Sequence, residues 1–165
     1  MIESTAAVRV AAAGAGTDTA CIDLWAAAVA ARDGRPEDPA VRARAAEKFA
    51  AERVALVVAP GDDEHRVRGF ALVTAPGTGG GSGPADAAYL SLLAVDPSAQ
   101  GSGLGRALLV AAVDAARDAG HDHCMLHALE DNATAVRLYR SAGFRPVGEP
   151  FPHALSGRPT RTFVV

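Results

Sequence analysis

Glycines stand at 101, 103 and 105, in Gln100-Gly101-Ser102-Gly103-Leu104-Gly105, where an apolar run passes through Asp96-Pro97 into an Ala/Leu-rich stretch. A phosphate group is held well by backbone N–H donors and by the positive end of a helix dipole. Glycine lets the main chain curl inward with no side chain between the amides and the anion. The competing reading of the same residues is a tight strand-to-helix turn with no ligand. Two other phosphate motifs fail residue by residue. A nucleoside-triphosphate loop ends in Gly-Lys, a dipeptide this sequence lacks. A dinucleotide fingerprint is spaced G-x-G-x-x-G and has an acidic residue closing the next strand. Here the spacing is G-x-G-x-G, and His121-Asp122-His123 opens that strand.

Further along, Asn132 and Tyr139 are seven residues apart, two helical turns, and share a face with Val136. On this pattern alone Tyr139 is a core tyrosine with its hydroxyl at the rim, and Asn132 a helix cap. His121, His123 and His127 share parity, so an extended strand puts them on one side, as a zinc chelate would require. His121 precedes the strand proper, no acid or thiolate completes the set, and Cys124 has the opposite parity. No metal is expected. Cys124 reads as a small buried residue.

These residues need elements to position them. The pattern predicts a strand over 8–13, a helix over 17–32 capped by Thr17-Asp18, a second helix over 40–52, and strands over 54–59 and 67–74. The run 76–86, Pro-Gly-Thr-Gly-Gly-Gly-Ser-Gly-Pro-Ala-Asp, has five glycines and no periodicity, and reads as a long flexible hairpin connection. A strand over 88–95 follows. A helix over 104–119 gathers Arg106, Asp114, Arg117 and Asp118 on one arc and Leu104, Leu108, Ala111, Ala112 and Ala115 on the other, with Gly120 as its stop. A strand over 124–129, a helix over 132–142, and closing strands over 144–148 and 161–165 complete the order βααβββαβαββ. The fold class is α/β: one domain, residues 1–165, with a mixed, mostly antiparallel sheet flanked by helices.

The 165 residues suit a single core, and with aromatics at 5% of an apolar 49% that core must be built from aliphatic packing. A net charge of −3, from sixteen basic and nineteen acidic residues, argues against nucleic acid as a partner. The apolar run 20–31 is interrupted by Asp23 and is shorter than a bilayer span, so no membrane association is expected. Two distant cysteines and no signal-like N-terminus predict a cytoplasmic location.

Gln100-x-x-Gly103-x-Gly105, preceded by Leu93-x-Val95-x-Pro97, resembles the acetyl-CoA-binding motif of the GCN5-related N-acetyltransferase (GNAT) family. Asn132-x-x-Ala135-x-x-Leu138-Tyr139-x-x-x-Gly143-Phe144 is similar to that family's last helix and the strand after it, and together the motifs cover about residues 89–147. The resemblance implies a GNAT-like acyl-CoA fold, with acetyl-CoA as cosubstrate and a primary amine as acceptor. It implies that Gln100, Gly101, Ser102, Gly103, Leu104, Gly105 and Arg106 cradle the CoA diphosphate. Leu93, Ala94 and Val95 would pair with the pantetheine arm, the Val95 N–H polarising the thioester. Asn132 would bond the same arm, and Tyr139 would protonate the departing thiolate as general acid. The sequence departs from many relatives in carrying Tyr89 where they have a glutamate four residues before Leu93. Asp86, Glu130 and His127 are substitutes of which none is compelling, so no base is assigned. The alternative is a non-catalytic acyl-CoA-binding sensor or interaction module. Acceptor choice is expected from the first two helices, near Trp25, Arg32 and Arg35, and from the loop 149–158; the alanine-rich helices suit a homodimer.

Overall fold

A computed structural model describes residues 7–11, 14–63 and 65–165. The strands are β1 (Arg9–Val10), β2 (Arg53–Pro60), β3 (Val67–Thr74), β4 (Ala88–Val95), β5 (Cys124–Leu129), β6 (Arg145–Pro152) and β7 (Pro159–Val164). The helices are α1 (Ala15–Asp33), α2 (Pro39–Ala50), α3 (Leu104–Asp118) and α4 (Ala133–Ser141). One seven-stranded sheet runs in the order β1-β2-β3-β4-β5-β7-β6. Every pairing is antiparallel except β4 with β5, so the mixed, mostly antiparallel sheet expected from the sequence is what forms.

Apolar side chains cover both faces of this sheet. On one face Ala88, Leu90, Leu126 and Phe163 pack with Leu104, Leu108, Leu109 and Ala112 of α3 and the buried Phe144. On the other Leu56, Phe70, Leu72, Leu92 and Ala94 pack with Cys21, Leu24, Ala45 and Phe49 of α1 and α2. The close approach of α3 requires Gly69, since a Cβ there would lie 2.7 Å from Leu108 Cδ1. Among the described residues no helix is long and apolar enough to cross a membrane.

Several boundaries differ from the sequence reading. The first strand is only Arg9–Val10, and positions 12 and 13 of the expected run lie outside the described residues. Helix α1 begins at Ala15 behind Gly14, not under a Thr17-Asp18 cap, and no side chain caps it. Asp18 instead meets Arg53 at 2.8 Å, a tertiary pairing that local capping signals do not register. Asp38 caps α2 through Ala40 N, and Ala51 turns extended, so the helix stops before Glu52. β6 starts one residue later than expected and runs longer, because Gly148, at φ +67°, lets it continue through a register shift to Pro152, and β7 starts two residues earlier, at Pro159.

The glycine-rich segment 76–86 is the main correction. It does not hang free as a flexible loop but lies against the sheet. A Cβ on Gly79 would stand 2.5 Å from the Tyr89 ring, one on Gly81 2.6 Å from His127, and one on Gly83 2.5 Å from Met125 Sδ. Gly79, Gly81 and Gly83 are therefore required by contact, and Gly77, Gly80 and Gly81 by their left-handed backbone.

Candidate functional site

The site begins with a defect in β4. Leu72 pairs with Leu92 and Val73 with Leu90, so Ser91 is an extra residue, a β-bulge. A bulge reverses the alternation of side chains. Leu90 therefore faces α3, while Leu92 and Ala94 beyond the bulge face α1 and α2, and Leu93 and Val95 return to the α3 side. The bulge also bends the strand. The parallel ladder to β5 covers Ala88, Tyr89 and Leu90 and then stops. β4 stays with β3 as far as Val95, and β5 stays with β7 as far as Leu129, so a fork opens between them. Asp96 N–H is spent on Arg68 O of the β3 side at 2.8 Å, and strand alternation then turns the Val95 N–H toward the fork.

Beyond the fork the chain makes a single 3-10 turn, Pro97–Ala99, capped by Asp96, and enters the glycine run. Gly101 (φ +80°) and Gly103 (φ +82°) are left-handed, and open space surrounds the position of a Cβ on either. Gly103 is the N-cap of α3 with no side-chain hydrogen bond to the helix. Gln100, Gly101, Ser102 and Gly103 are exposed, whereas Leu104 is buried and anchors the turn. Ser102 Oγ donates to Ala99 O, closing the loop on itself, and Arg106 donates to Ser141, tying α3 to the end of α4. This is an uncapped helix start behind a bare curl of backbone, a donor set that suits a diphosphate.

Helix α4 flanks the fork. Asn132 caps it by accepting from Ala135 N at 3.2 Å, and Leu138 rests 3.5 Å from where a Gly105 Cβ would be. Tyr139 is half-buried between Phe144 and Phe163, with ring centroids at 6.1 and 6.4 Å. Burial pushes its hydroxyl up to about 12, so it stays protonated across the neutral range. A separate open hollow of about 340 Å³, lined by Glu130, Val136, Arg140, Arg161 and Phe163, lies on the opposite side of α4 from Leu138.

On the α1–α2 side of the fork sits Lys48, which the sequence reading did not single out, beside Tyr89 and, next to that, His127, which it did. Lys48 of α2 donates from Nζ to the bulge carbonyl, Ser91 O, at 3.2 Å and lies 5.7 Å from the centre of the Tyr89 ring. Desolvation, with the Arg44 charge adding to it, brings Lys48 down to about 8. Tyr89 is buried, and burial pushes its hydroxyl up to about 12, with Tyr139 close enough to contribute. His127 packs between Tyr89 and Phe151 at centroid distances of 5.2 and 5.0 Å. Lys48 is the only lysine in the sequence, which is the one signal that could have marked it.

The three substitutes for a glutamate base fare differently. His127 Nε2 lies 3.1 Å from both Gly79 O and Gly80 O, so it must carry the proton and donate, while Nδ1 accepts from Thr162 Oγ1 at 3.0 Å. Its lone pair is thus already used. Glu130 is held by Arg161 at 2.9 Å, and Asp86 is exposed. Of the histidines weighed for a metal, His121 and His123 precede β5 and His127 faces the glycine segment. Cys124 is buried in the α3-side core, where desolvation raises its thiol to about 12. Trp25 packs against the α1–α2 core, and Arg32 pairs with Asp33. The segment 149–158 contributes Phe151 and His153 to the α1–α2 side of the fork and ties Arg158 to Asp131.

Residues 21–144 match the family described as Acetyltransferase (GNAT) family. A mycothiol acetyltransferase from Thermobispora bispora is 46% identical over 65 residues, which is 39% of this chain and 21% of that protein. The chain thus aligns with about a fifth of that relative's length. The ribosomal-protein-S18-alanine N-acetyltransferase of Escherichia coli superposes with a TM-score of 0.70 at 22% identity, over 96% of this chain and 93% of that one. A Salmonella typhimurium protein solved with its cofactor acetyl-CoA gives 0.64 at 22% identity, over 96% and 92%. These two likenesses establish a shared fold.

Proposed function

Because this chain belongs to the acetyltransferase (GNAT) family, we propose that it moves an acetyl group from acetyl-CoA to a primary amine by direct attack in a ternary complex. The observation that carries the reading is the fork between β4 and β5 opening beside the uncapped start of α3. Acetyl-CoA supplies the acyl group as an activated thioester. The amides of residues 101–106, with the α3 dipole behind them, hold its diphosphate. Leu93, Ala94 and Val95 form the strand edge against which the pantetheine amides lie as a missing strand would. Asn132, already the cap of α4, bonds the same arm.

The Val95 N–H polarises the thioester carbonyl where negative charge develops. The amine nitrogen forms the new C–N bond as the C–S bond breaks, and its surplus proton leaves through water. The departing sulfur takes up a proton from the Tyr139 hydroxyl, which is protonated at neutral pH. With His127 and Glu130 already engaged, no side chain is assigned as the base.

A thiol-release assay with acetyl-CoA and a panel of amines tests the reaction, and Tyr139→Phe tests the acid. The variant is expected to bind acetyl-CoA as the parent does and to turn over about 10²-fold more slowly, the low end for a general acid. Unchanged turnover across pH removes Tyr139 from that role. Binding without release from any amine favours the sensor reading instead.

A further inference from the structure

Six lysine and arginine side chains are half-buried among the described residues: Arg42, Arg44, Lys48, Arg53, Arg158 and Arg161. Four of them have carboxylate partners, Arg42 with Asp23 and Glu37, Arg53 with Asp18, Arg158 with Asp131 and Asp33, and Arg161 with Glu130. Among the described residues Arg44 and Lys48 have none. They lie one turn apart on α2, on the acceptor side of the fork, where the only polar contact of Lys48 Nζ among the described residues is the Ser91 carbonyl. Partial burial of two like charges side by side is unfavourable unless an anion completes the site. Among the described residues no acidic side chain pairs with either of them, and Asp33 and Asp131 are both taken by Arg158.

We infer that the acceptor is an amine that also carries a carboxylate, with Arg44 and Lys48 as its anchor. This rests on the acetyltransfer reading and narrows its substrate class. The field supports the same assignment. Arg44, Lys48, Arg32 and Arg158 all bear on His153, whose imidazole is lowered first by burial and then by these cations. A purely cationic acceptor, such as a polyamine, meets repulsion here. An amino acid brings its own counter-charge, and the same positive surroundings favour the neutral form of its amine, the form able to attack. Arg44 supplies a planar fork of donors and Lys48 a point charge, a pair suited to a carboxylate. Aromatic rings of Tyr89, His127 and Phe151 form the neighbouring wall.

The test uses thiol release with matched pairs: common amino acids, β-alanine and 4-aminobutyrate, each against its carboxamide. A second arm compares the C-terminally amidated dipeptides Ala-Glu and Ala-Gln, which separates a carboxylate carried by a peptide side chain from that of a free amino acid. The preferred acid is expected to exceed its amide at least tenfold in kcat/KM. Arg44→Gln and Lys48→Gln should each shrink that ratio toward one through KM, while acetyl-CoA affinity stays at the parent value. Lys48→Arg, which keeps the charge, should retain the preference, as a proton-accepting lysine would not. Amides or diamines turned over as well as the acids overturn the inference while leaving acetyltransfer intact. A preference that survives both glutamine variants also overturns it, and release from no amine overturns both readings.

Discussion

Replacing Gly103 by alanine separates the two things a glycine can do at the start of α3. Its backbone is at φ +82° and ψ +2°, and a Cβ there meets no atom within 4 Å. Steric crowding in the free protein is therefore not the issue. An L-residue held left-handed costs about 1–2 kcal/mol. Restriction of the unfolded chain returns about 0.4–1 kcal/mol of that. The net loss is about 1 kcal/mol, or a fall of ~2–4 °C in Tm for a chain of this size. Binding should suffer far more, because the new methyl projects into open space beside the amides assigned to the diphosphate. A hydrogen bond to a charged group contributes ~1.5–3 kcal/mol, so displacing a single one weakens acetyl-CoA about 10- to 100-fold. Gly77→Ala is the control, since Gly77 is also left-handed (φ +87°) with nothing within 4 Å, but lies in the glycine-rich segment. The two variants should melt alike without ligand and differ sharply in calorimetric titration with acetyl-CoA. If Gly103→Ala titrates as Gly77→Ala does, the glycine run is only a turn and the cradle argument fails.

The same control serves the glycine-rich segment. Gly81 (φ +88°) matches Gly77 in backbone, but its Cβ would strike the His127 ring at 2.6 Å. Gly81→Ala should therefore lose at least ~1 kcal/mol more than Gly77→Ala in denaturant melts, the scale of an overpacked contact; equal losses would mean the segment is not seated on His127. His127 itself gives a pH signature. Burial, with Lys48 adding to it, holds its imidazole below 6.5 in the folded state, so the unfolded chain takes up the proton first as pH falls. Stability is then full above about pH 6.5 and declines below it, toward the folded-state value. His153 is lowered as well and shares this decline. His127→Gln, which keeps a donor for Gly79 O and Gly80 O, should show a smaller drop in Tm between pH 7 and pH 5, and an unchanged drop would exclude His127 as a source.

Much of this protein is written locally. Alternation and apolar runs mark β3, β4 and β5 at their observed bounds, because a strand's pattern of period two is a property of a few neighbouring residues. The strand–glycine–helix order of 93–106 is likewise legible locally, since glycine permits the left-handed backbone found at Gly101 and Gly103. Asn132 as a cap is legible for the same reason.

Tertiary structure decided what depends on residues far apart. Asp18 left its expected capping role for Arg53, thirty-five positions away. Gly79, Gly81 and Gly83 read as slack in the sequence, yet each is required by a ring or sulfur that another strand brings against it. The bulge at Ser91 appears only when β3 is laid beside β4, and with it the fork between β4 and β5 on which Val95 lies. Lys48 carries no local signal beyond being the only lysine. Its position over Tyr89, its lack of a carboxylate partner among the described residues and its lowered basicity arise from packing α2 on the sheet, because desolvation and charge pairing are properties of surroundings and not of sequence neighbours.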